Sequence, residues 1–526
     1  MKLLISDSLS EKGIEILKGV QDLQVDVNTG LKPEELKKII KDYDAIVVRS
    51  ATKLTADVLQ EATKLKYIGR AGVGLDNVDV ATATKQGIIV MNAPGGNTIS
   101  TAEHTVSMIL ALSRNIPQAN ASTKKGEWKR KQFMGAEVYG KILGIIGLGK
   151  IGAEVAKRAV AFGMKIIAYD PFISLEVAKQ LGVEIVELKD LFPRADYITV
   201  HTPLSDETKH MISDKQFALM KDGVKVINCA RGGIVDEAAL VKALESGKVA
   251  GCAMDVFETE PPENSPLLTF DNVVVTPHLG ASTEEAQVNV AIEIAKTLKD
   301  ALTGNGIRNA ANYPCVEPEV YETLSPYINL SEKMGSFACQ LFEDRIKTVD
   351  ITYSGQISEL KTEPITIAVI KGILAPIVQE MVNYVNALSL AKERGIKVQV
   401  SKSITEEEFV NLVSVKITAG KKSLFVCGTL SSNSQPRIVK INEFYVEARP
   451  EGHMLLIRNA DRPGVIGSIG TMLGKNNINI ATMTFGRTEL GGESLSVVNV
   501  DSPISAKILE QIRKAKDIIS AKVITL

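Results

Sequence analysis

Two successive series of short apolar runs, separated by helix-like stretches, restrict this 526-residue chain more than any other feature. Over residues 1–97, "KLLISD", "LQVDVN", "AIVVRS", "KYIGRAG" and "GIIVMNAP" alternate with amphipathic stretches such as "KPEELKKIIKDY". From about residue 140 a second series follows: "KILGIIG", "MKIIAYD", "VEIVEL", "DYITVHTP", "GVKVINCA", "VAGCAMDV" and "NVVVTPH". Strand–helix alternation of this kind builds parallel sheets with helices on both faces. The sequence therefore predicts an α/β fold with two doubly wound parallel-sheet domains. A long helical pattern, "STAEHTVSMILALSRN", leads out of the first unit. The helix "EEAQVNVAIEIAKTLKDALTG" and the segment "IRNAANYP" carry the chain back to it. The expected first domain is thus discontinuous, residues 1–97 plus 285–310, around a second domain of residues 98–284.

After residue 311 the texture changes. The stretch "NYPCVEPEVYETLSPYINL" carries prolines that mark a boundary. Residues 318–450 mix helices with alternating strands such as "KSLFVCGTL" and "RIVKINEFYVEA", which predicts an α+β intervening domain without a catalytic constellation. Residues 453–526 begin with a strand, a turn at Pro463–Gly464, an amphipathic helix and another strand, which fits a βαββαβ unit. Chain length agrees, since domains of ~150 residues would divide it into three or four.

Charge and cysteine usage narrow the function. Lysine and arginine number 61 against 62 aspartates and glutamates, for a net charge of −1. That balance argues against nucleic acid or an anionic membrane as the main partner. The five cysteines contain no CxxC pair, which reads as reduced, cytosolic and free of disulfides or zinc, and no metal is expected. The N-terminus reaches Asp7 after a very short apolar run, unlike a signal peptide. The most apolar later segment, "IAVIKGILAPIVQEMVNYVNAL", is broken by Lys371 and Glu380 and falls short of a membrane span. A cytoplasmic protein is expected.

Within the second series, "GIIGLGKIG" places Gly147, Gly149 and Gly152 in GxGxxG spacing. Glycine spacing alone is weak, but here it follows an apolar strand and opens the helix "KIGAEVAKRAVAFG". Gly147 permits the tight turn, Gly149 lets the backbone approach a pyrophosphate, and Gly152 allows close helix–strand packing. The following strand ends in Asp170, whose carboxylate suits a ribose diol and repels a 2′-phosphate. No arginine follows it directly, so the reading favours NAD over NADP; the alternative is a glycine-rich turn with a surface aspartate. The domain is accordingly Rossmann-like.

Ligands of doubly wound sheets bind beyond the carboxyl ends of the strands. Three such ends carry Arg231 in "VKVINCARGG", Glu260 in "GCAMDVFETEPP" and His278 in "NVVVTPHLG". Arginine's planar fork suits a carboxylate. Histidine as a residue type titrates near neutrality and can carry a proton to and from an oxygen. A glutamate on its other ring nitrogen would fix the tautomer. Together they suit interconversion of a 2-hydroxy acid and a 2-oxo acid.

The motifs "GLGKIG", "HTPLSDETKHMI", "NCARGGIVDEAAL", "DVFETEPP" and "TPHLGAST" resemble the D-isomer-specific 2-hydroxyacid dehydrogenases. Within that family, "VVRSAT", "GRAGVGLDNVD" and "VMNAPGGNTISTAEHT" resemble the branch acting on 3-phosphoglycerate, and the tail resembles its long form with an intervening domain and a C-terminal ACT domain. The resemblance implies NAD-dependent oxidation of 3-phosphoglycerate in serine biosynthesis, with Arg231, Glu260 and His278 catalytic. It implies cofactor contacts at Val73, Lys150, Ile151, Asp170, Thr202, Cys229, Ala230, Arg231, Asp255, His278, Leu279, Gly280 and Ala281. Arg49, Ser50, Gly72 and Asn97 match positions that hold the phosphorylated substrate. In "NADRPGVIG" and "NNINIA", Asp461 and Asn479 match a serine-effector site, although Asn459 stands where some relatives carry histidine or tyrosine. A homo-oligomer, dimer or tetramer, is also implied, with Lys129, Arg130 and Lys131 around Trp128 facing a neighbouring subunit or solvent. Two other readings remain at this point. One is a glyoxylate or hydroxypyruvate reductase of the same family, and the other a non-catalytic NAD-sensing binding module.

Overall fold

The apolar runs of residues 1–97 form one parallel sheet in the order Gln24–Val27, Lys2–Ile5, Ala45–Val48, Tyr67–Arg70, Ile89–Asn92. The computed structural model describes residues 1–315, 318–378, 382–403 and 409–526. Successive residues of a strand enter different cores. Leu3, Ile5 and Val47 join one cluster, whereas Leu4, Ile46 and Val48 join another. Both faces are covered at the centre of the sheet, which is why Ala45–Val48 is apolar throughout, whereas the edge strand Gln24–Val27 alternates. The helix Glu284–Thr303 supplies part of that cover, with Val290, Ile294 and Leu298 in the first cluster. A Cβ on Gly69 would meet the Leu298 side chain at 2.5 Å, so glycine there admits the helix. Beyond it, the Asn92 amide donates to Asn309 O at 3.0 Å and the Ala311 amide to Val90 O at 2.8 Å, joining residues 309–311 to the first sheet.

The second sheet has seven strands, all parallel, in the order Val273–Val275, Val249–Met254, Val224–Asn228, Tyr197–Val200, Ile142–Ile146, Lys165–Tyr169, Val183–Ile185. Strand order reverses between Ile142–Ile146 and Tyr197–Val200, the switch point at which such sheets open a crevice. The helix Thr98–Arg114 packs Ala102, Met108, Ile109 and Leu112 into this sheet's core.

Downstream, a six-stranded sheet pairs Lys397–Ser403 parallel with Thr348–Gly355, and its other neighbours are antiparallel. The helices Pro318–Leu341 and Glu363–Leu374 cover it. The run "RIVKINEFYVEA", read above as one strand, is a correction: it forms the hairpin Pro436–Ile441 and Phe444–Ala448, with Asn442 at φ 48° in the turn. A two-residue loop preserves the period of two, so alternation passes through it unbroken. The last four strands form an antiparallel sheet ordered Ile480–Arg487, Glu493–Val500, His453–Ala460, Ile518–Thr525, with helices Val465–Lys475 and Ala506–Arg513. That is the βαββαβ arrangement. Leu455 and Ile457 face the helices, while Met454 and Leu456 join the core of the preceding domain. No described helix is long and apolar enough to cross a membrane.

Candidate active site

Loops that follow strand ends of both parallel sheets line one cleft of about 490 Å³. Val73 and Asn97 come from the first series, and Ile151, Thr202, Cys229, Ala230, Arg231, His278, Gly280 and Ala281 from the second. Ten of the positions named from the sequence thus line this cleft, and Glu260, Asp255 and the glycine loop flank it.

The glycine loop has the shape a dinucleotide needs. Gly147 has φ 92°, and a Cβ there would meet His201 O at 2.7 Å. A Cβ on Gly152 would meet Gly147 O at 2.1 Å, so this contact between helix and loop requires glycine. Nothing lies within 4 Å of a Cβ built on Gly149, which leaves an open cradle at the N-terminus of the helix Lys150–Ala161. Asp170 directly follows the adjacent strand Lys165–Tyr169 and accepts from the Leu148 amide at 2.8 Å and the Phe172 amide at 2.9 Å, which ties it to that loop. Three cleft-lining residues carry enclosed polar atoms without a protein partner: Asn97 Oδ1, His201 Nδ1 and Thr202 Oγ1. Native structures seldom leave such atoms unsatisfied unless a ligand uses them. The residues fit NAD.

His278 follows the strand Val273–Val275 with φ 55°, in the left-handed region that is unfavourable for a side-chain-bearing residue. Its amide is held by Asp255 O at 2.9 Å and Thr276 O at 3.0 Å. Its Nδ1 lies 2.8 Å from Glu260 Oε2, and Glu260 Oε1 accepts from the Phe257 amide at 3.1 Å. Glu260 is therefore held at both oxygens, and Nε2 is the ring nitrogen left for a substrate. Arg231 comes from the loop after Val224–Asn228 and donates through Nη1 to Ala230 O at 2.7 Å. Its Nε pairs with Asp76 Oδ2 at 3.3 Å, so it reaches across to the first-domain loop. Burial, together with the nearby Asp255 charge, pushes the Cys229 thiol up to about 12. It stays protonated, and its part in the cleft is packing and backbone.

Asp255 is fully buried, which by itself would raise its carboxyl. Hydrogen bonds from His104, Thr276 and the Leu279 and Gly280 amides outweigh that and hold it below the usual range. On the first-domain side, the Arg49 amide donates to Asp7 Oδ2 at 2.6 Å, Ser50 is exposed, and Gly72 has φ 152°. Asp461 and Asn479 are far along the chain and separately engaged. Asp461 Oδ2 accepts from the Gly491 amide at 3.3 Å, and Asn479 Nδ2 donates to Asp501 Oδ2 at 2.6 Å. Trp128 is 79% exposed, beside the ion pair of Lys129 with Glu127.

Three residues that the sequence reading passed over matter here. Arg70 ends the strand Tyr67–Arg70, its Nε is enclosed without a partner, and a Cβ on Gly72 would meet its Nη1 at 1.7 Å. Burial and the Arg231 charge, opposed by Asp76, lower its guanidinium to about 10, so it remains a cation at neutral pH. His104 and His201 are the others. All three lay inside quoted motifs ("GRAG", "TAEHT", "HTP"), and strand-end position would have singled out Arg70 and His201.

Residues 106–280 match the family model "D-isomer specific 2-hydroxyacid dehydrogenase, NAD binding domain". Residues 323–442 match "D-3-phosphoglycerate dehydrogenase intervening domain", and residues 453–517 match "ACT domain". The chain is 47% identical over 526 residues to the D-3-phosphoglycerate dehydrogenase of Synechocystis sp., covering 100% of this chain and 95% of that one. It is also 47% identical to the enzyme of that name from Archaeoglobus fulgidus, over 100% of both chains. Among solved structures, D-lactate dehydrogenase from Aquifex aeolicus complexed with NAD and lactic acid matches with a TM-score of 0.51 and 32% identity, over 57% of this chain and 96% of that one.

Proposed function

The chain belongs to the D-3-phosphoglycerate dehydrogenase family, and from that premise we propose that it oxidises 3-phospho-D-glycerate to 3-phosphohydroxypyruvate, the first step of phosphorylated L-serine synthesis. The observation that carries the reading is the Glu260–His278 contact of 2.8 Å at a cleft that Arg231 enters. NAD, when bound, supplies the hydride acceptor. Everything else falls to the chain. Arg231 binds the substrate carboxylate through its planar fork. His278 Nε2 takes the proton of the C2 hydroxyl, and Glu260 Oε2, on Nδ1, fixes the tautomer and stabilises the imidazolium. Arg49, Ser50, Gly72 and Asn97, joined by Arg70, hold the phosphorylated end. The glycine loop with Lys150, Ile151, Asp170 and Thr202, the Val73 backbone, and Asp255 with the 278–281 turn hold the dinucleotide.

In this reading residues 1–97 with 285–310 bind substrate, residues 98–284 bind cofactor, and residues 318–450 and 453–526 regulate. L-serine is the effector, bound through Asp461 and Asn479. The enzyme is a cytoplasmic homo-oligomer, a dimer or tetramer. Two measurements on purified protein test it. NADH production should be faster on 3-phosphoglycerate than on glycerate, lactate or glycolate, and serine should depress it. Faster turnover of glycerate than of its phosphate would overturn the substrate; indifference to serine would remove the effector.

A further inference from the structure

One helix grips the turn that carries His278. Helix Thr98–Arg114 begins at Asn97 on the cleft. From its first turn, Ser100 Oγ donates to Gly280 O at 2.5 Å and Thr101 Oγ1 to the same oxygen at 3.1 Å. One turn further on, His104 Nε2 lies 3.1 Å from Asp255 Oδ1 and 3.2 Å from Thr276 Oγ1. Residues at i and i+4 share a helix face, so these side chains act on one surface.

Asp255 is the hub. Its Oδ1 accepts from Thr276 Oγ1 at 2.5 Å and from the Leu279 amide at 2.7 Å, and its Oδ2 accepts from the Gly280 amide at 2.8 Å. Its own carbonyl accepts the His278 amide at 2.9 Å. An ionised carboxylate only accepts, and the Thr276 hydroxyl has spent its proton on Asp255. The imidazole Nε2 must therefore carry a proton and donate it. Among the described residues, His104 is the one side chain that brings a ring donor to this buried carboxylate.

We propose that His104 is a positioning residue for acid–base catalysis. By donating Nε2–H to Asp255 Oδ1 it fixes the carboxylate that holds the Leu279 and Gly280 amides, and so the left-handed turn that aims His278 into the cleft. The inference rests on the reading of His278 as the acid–base group. It also joins the two halves of the site, because the helix that places His104 starts at Asn97 on the substrate side.

The test compares wild type with His104→Leu, which fills the space without a hydrogen bond, and His104→Gln, whose amide can still donate. The turn itself is read by hydrogen exchange of the Leu279 and Gly280 amides in the cofactor-free enzyme. Removing a hydrogen bond to a charged, buried group predicts about a tenfold lower kcat in His104→Leu. NADH affinity should fall less than kcat, since the glycine loop is untouched and only the contacts of the 278–281 turn are loosened. Exchange at Leu279 and Gly280 should quicken, and His104→Gln should recover both exchange and kcat. A wild-type kcat in His104→Leu, no advantage of Gln over Leu, or unchanged exchange would overturn the proposal. If His104→Leu does not fold, His104→Asn, too short to reach Asp255, takes its place against His104→Gln with the same outcomes. Should the wild type fail on 3-phosphoglycerate, the functional reading falls, while the exchange arm still decides whether His104 holds the turn.

Discussion

Where strands of the first parallel sheet end, the chain presents arginines; where strands of the second end, it presents a histidine bound to a glutamate. Arg49 follows Ala45–Val48 and Arg70 closes Tyr67–Arg70, with Asp7 spent on the Arg49 and Thr52 amides at 2.6 and 3.1 Å. Across the cleft, Glu260 and His278 meet at 2.8 Å and Asp255 organises the turn beneath them. The two sheets share one construction principle and differ in what their mouths can do. A guanidinium keeps its proton and can only hold an anion, whereas an imidazole beside a carboxylate can pass a proton back and forth. Arg231 belongs to the second mouth but behaves like the first, reaching Asp76 in the opposing loop at 3.3 Å.

The sharpest way to break this division is His278→Ala. It removes the proposed proton carrier and leaves the glycine loop alone, so kcat should fall by at least ~10²-fold while NADH binding stays nearly intact. A wild-type-like kcat would take chemistry away from the second mouth altogether. Next in size is Arg49→Ala. Losing the charge-assisted contact proposed between Arg49 and the phosphate should lower kcat/KM for 3-phosphoglycerate by about 10- to 100-fold. Turnover of unphosphorylated glycerate should change far less. Equal losses on both substrates would mean that the first mouth shapes the reaction rather than holding the phosphate.

How much of this was legible follows from the kind of signal involved. The seven strands of the second sheet were readable because their buried runs are largely apolar, although the edge strand Val183–Ile185 carries the exposed Glu184. Strand-end position then picked out Arg231, Glu260 and His278 without any coordinates. The turn at Asn442 was invisible, because a two-residue loop leaves the alternation in phase. His104 was missed for another reason. It sits in the middle of a helix, where nothing in the sequence says which distant carboxylate the helix face will meet. Its contact with Asp255 spans two elements that only the folded sheet brings together. Asp461 and Asn479 were legible as a motif, yet each is engaged with its own neighbour, which sequence cannot show.

The smallest predicted effect separates the two histidines of the second mouth. His201 follows Tyr197–Val200, its Nε2 is 3.1 Å from Thr199 Oγ1, and among the described residues no carboxylate partner offsets its loss of water. Burial pushes it down to about 4, from 6.5 for an unburied ring. Between those values the unfolded chain binds a proton that the folded chain refuses. Folding stability is therefore complete above about pH 6.5 and declines as pH falls toward 4, by up to about 3 kcal/mol. Asp255 acts in the same direction but in a lower window, because its depressed carboxyl contributes stability that is lost only as pH falls below the ordinary carboxylate range. His201→Asn removes the first contribution and keeps the second. Melting temperatures of the variant should accordingly hold level between pH 6.5 and about 4, where those of the wild type decline, and fall with the wild type below that. Parallel curves throughout would mean that His201 is solvated in solution. The assignment of proton transfer to His278 would then rest on its contact with Glu260 alone.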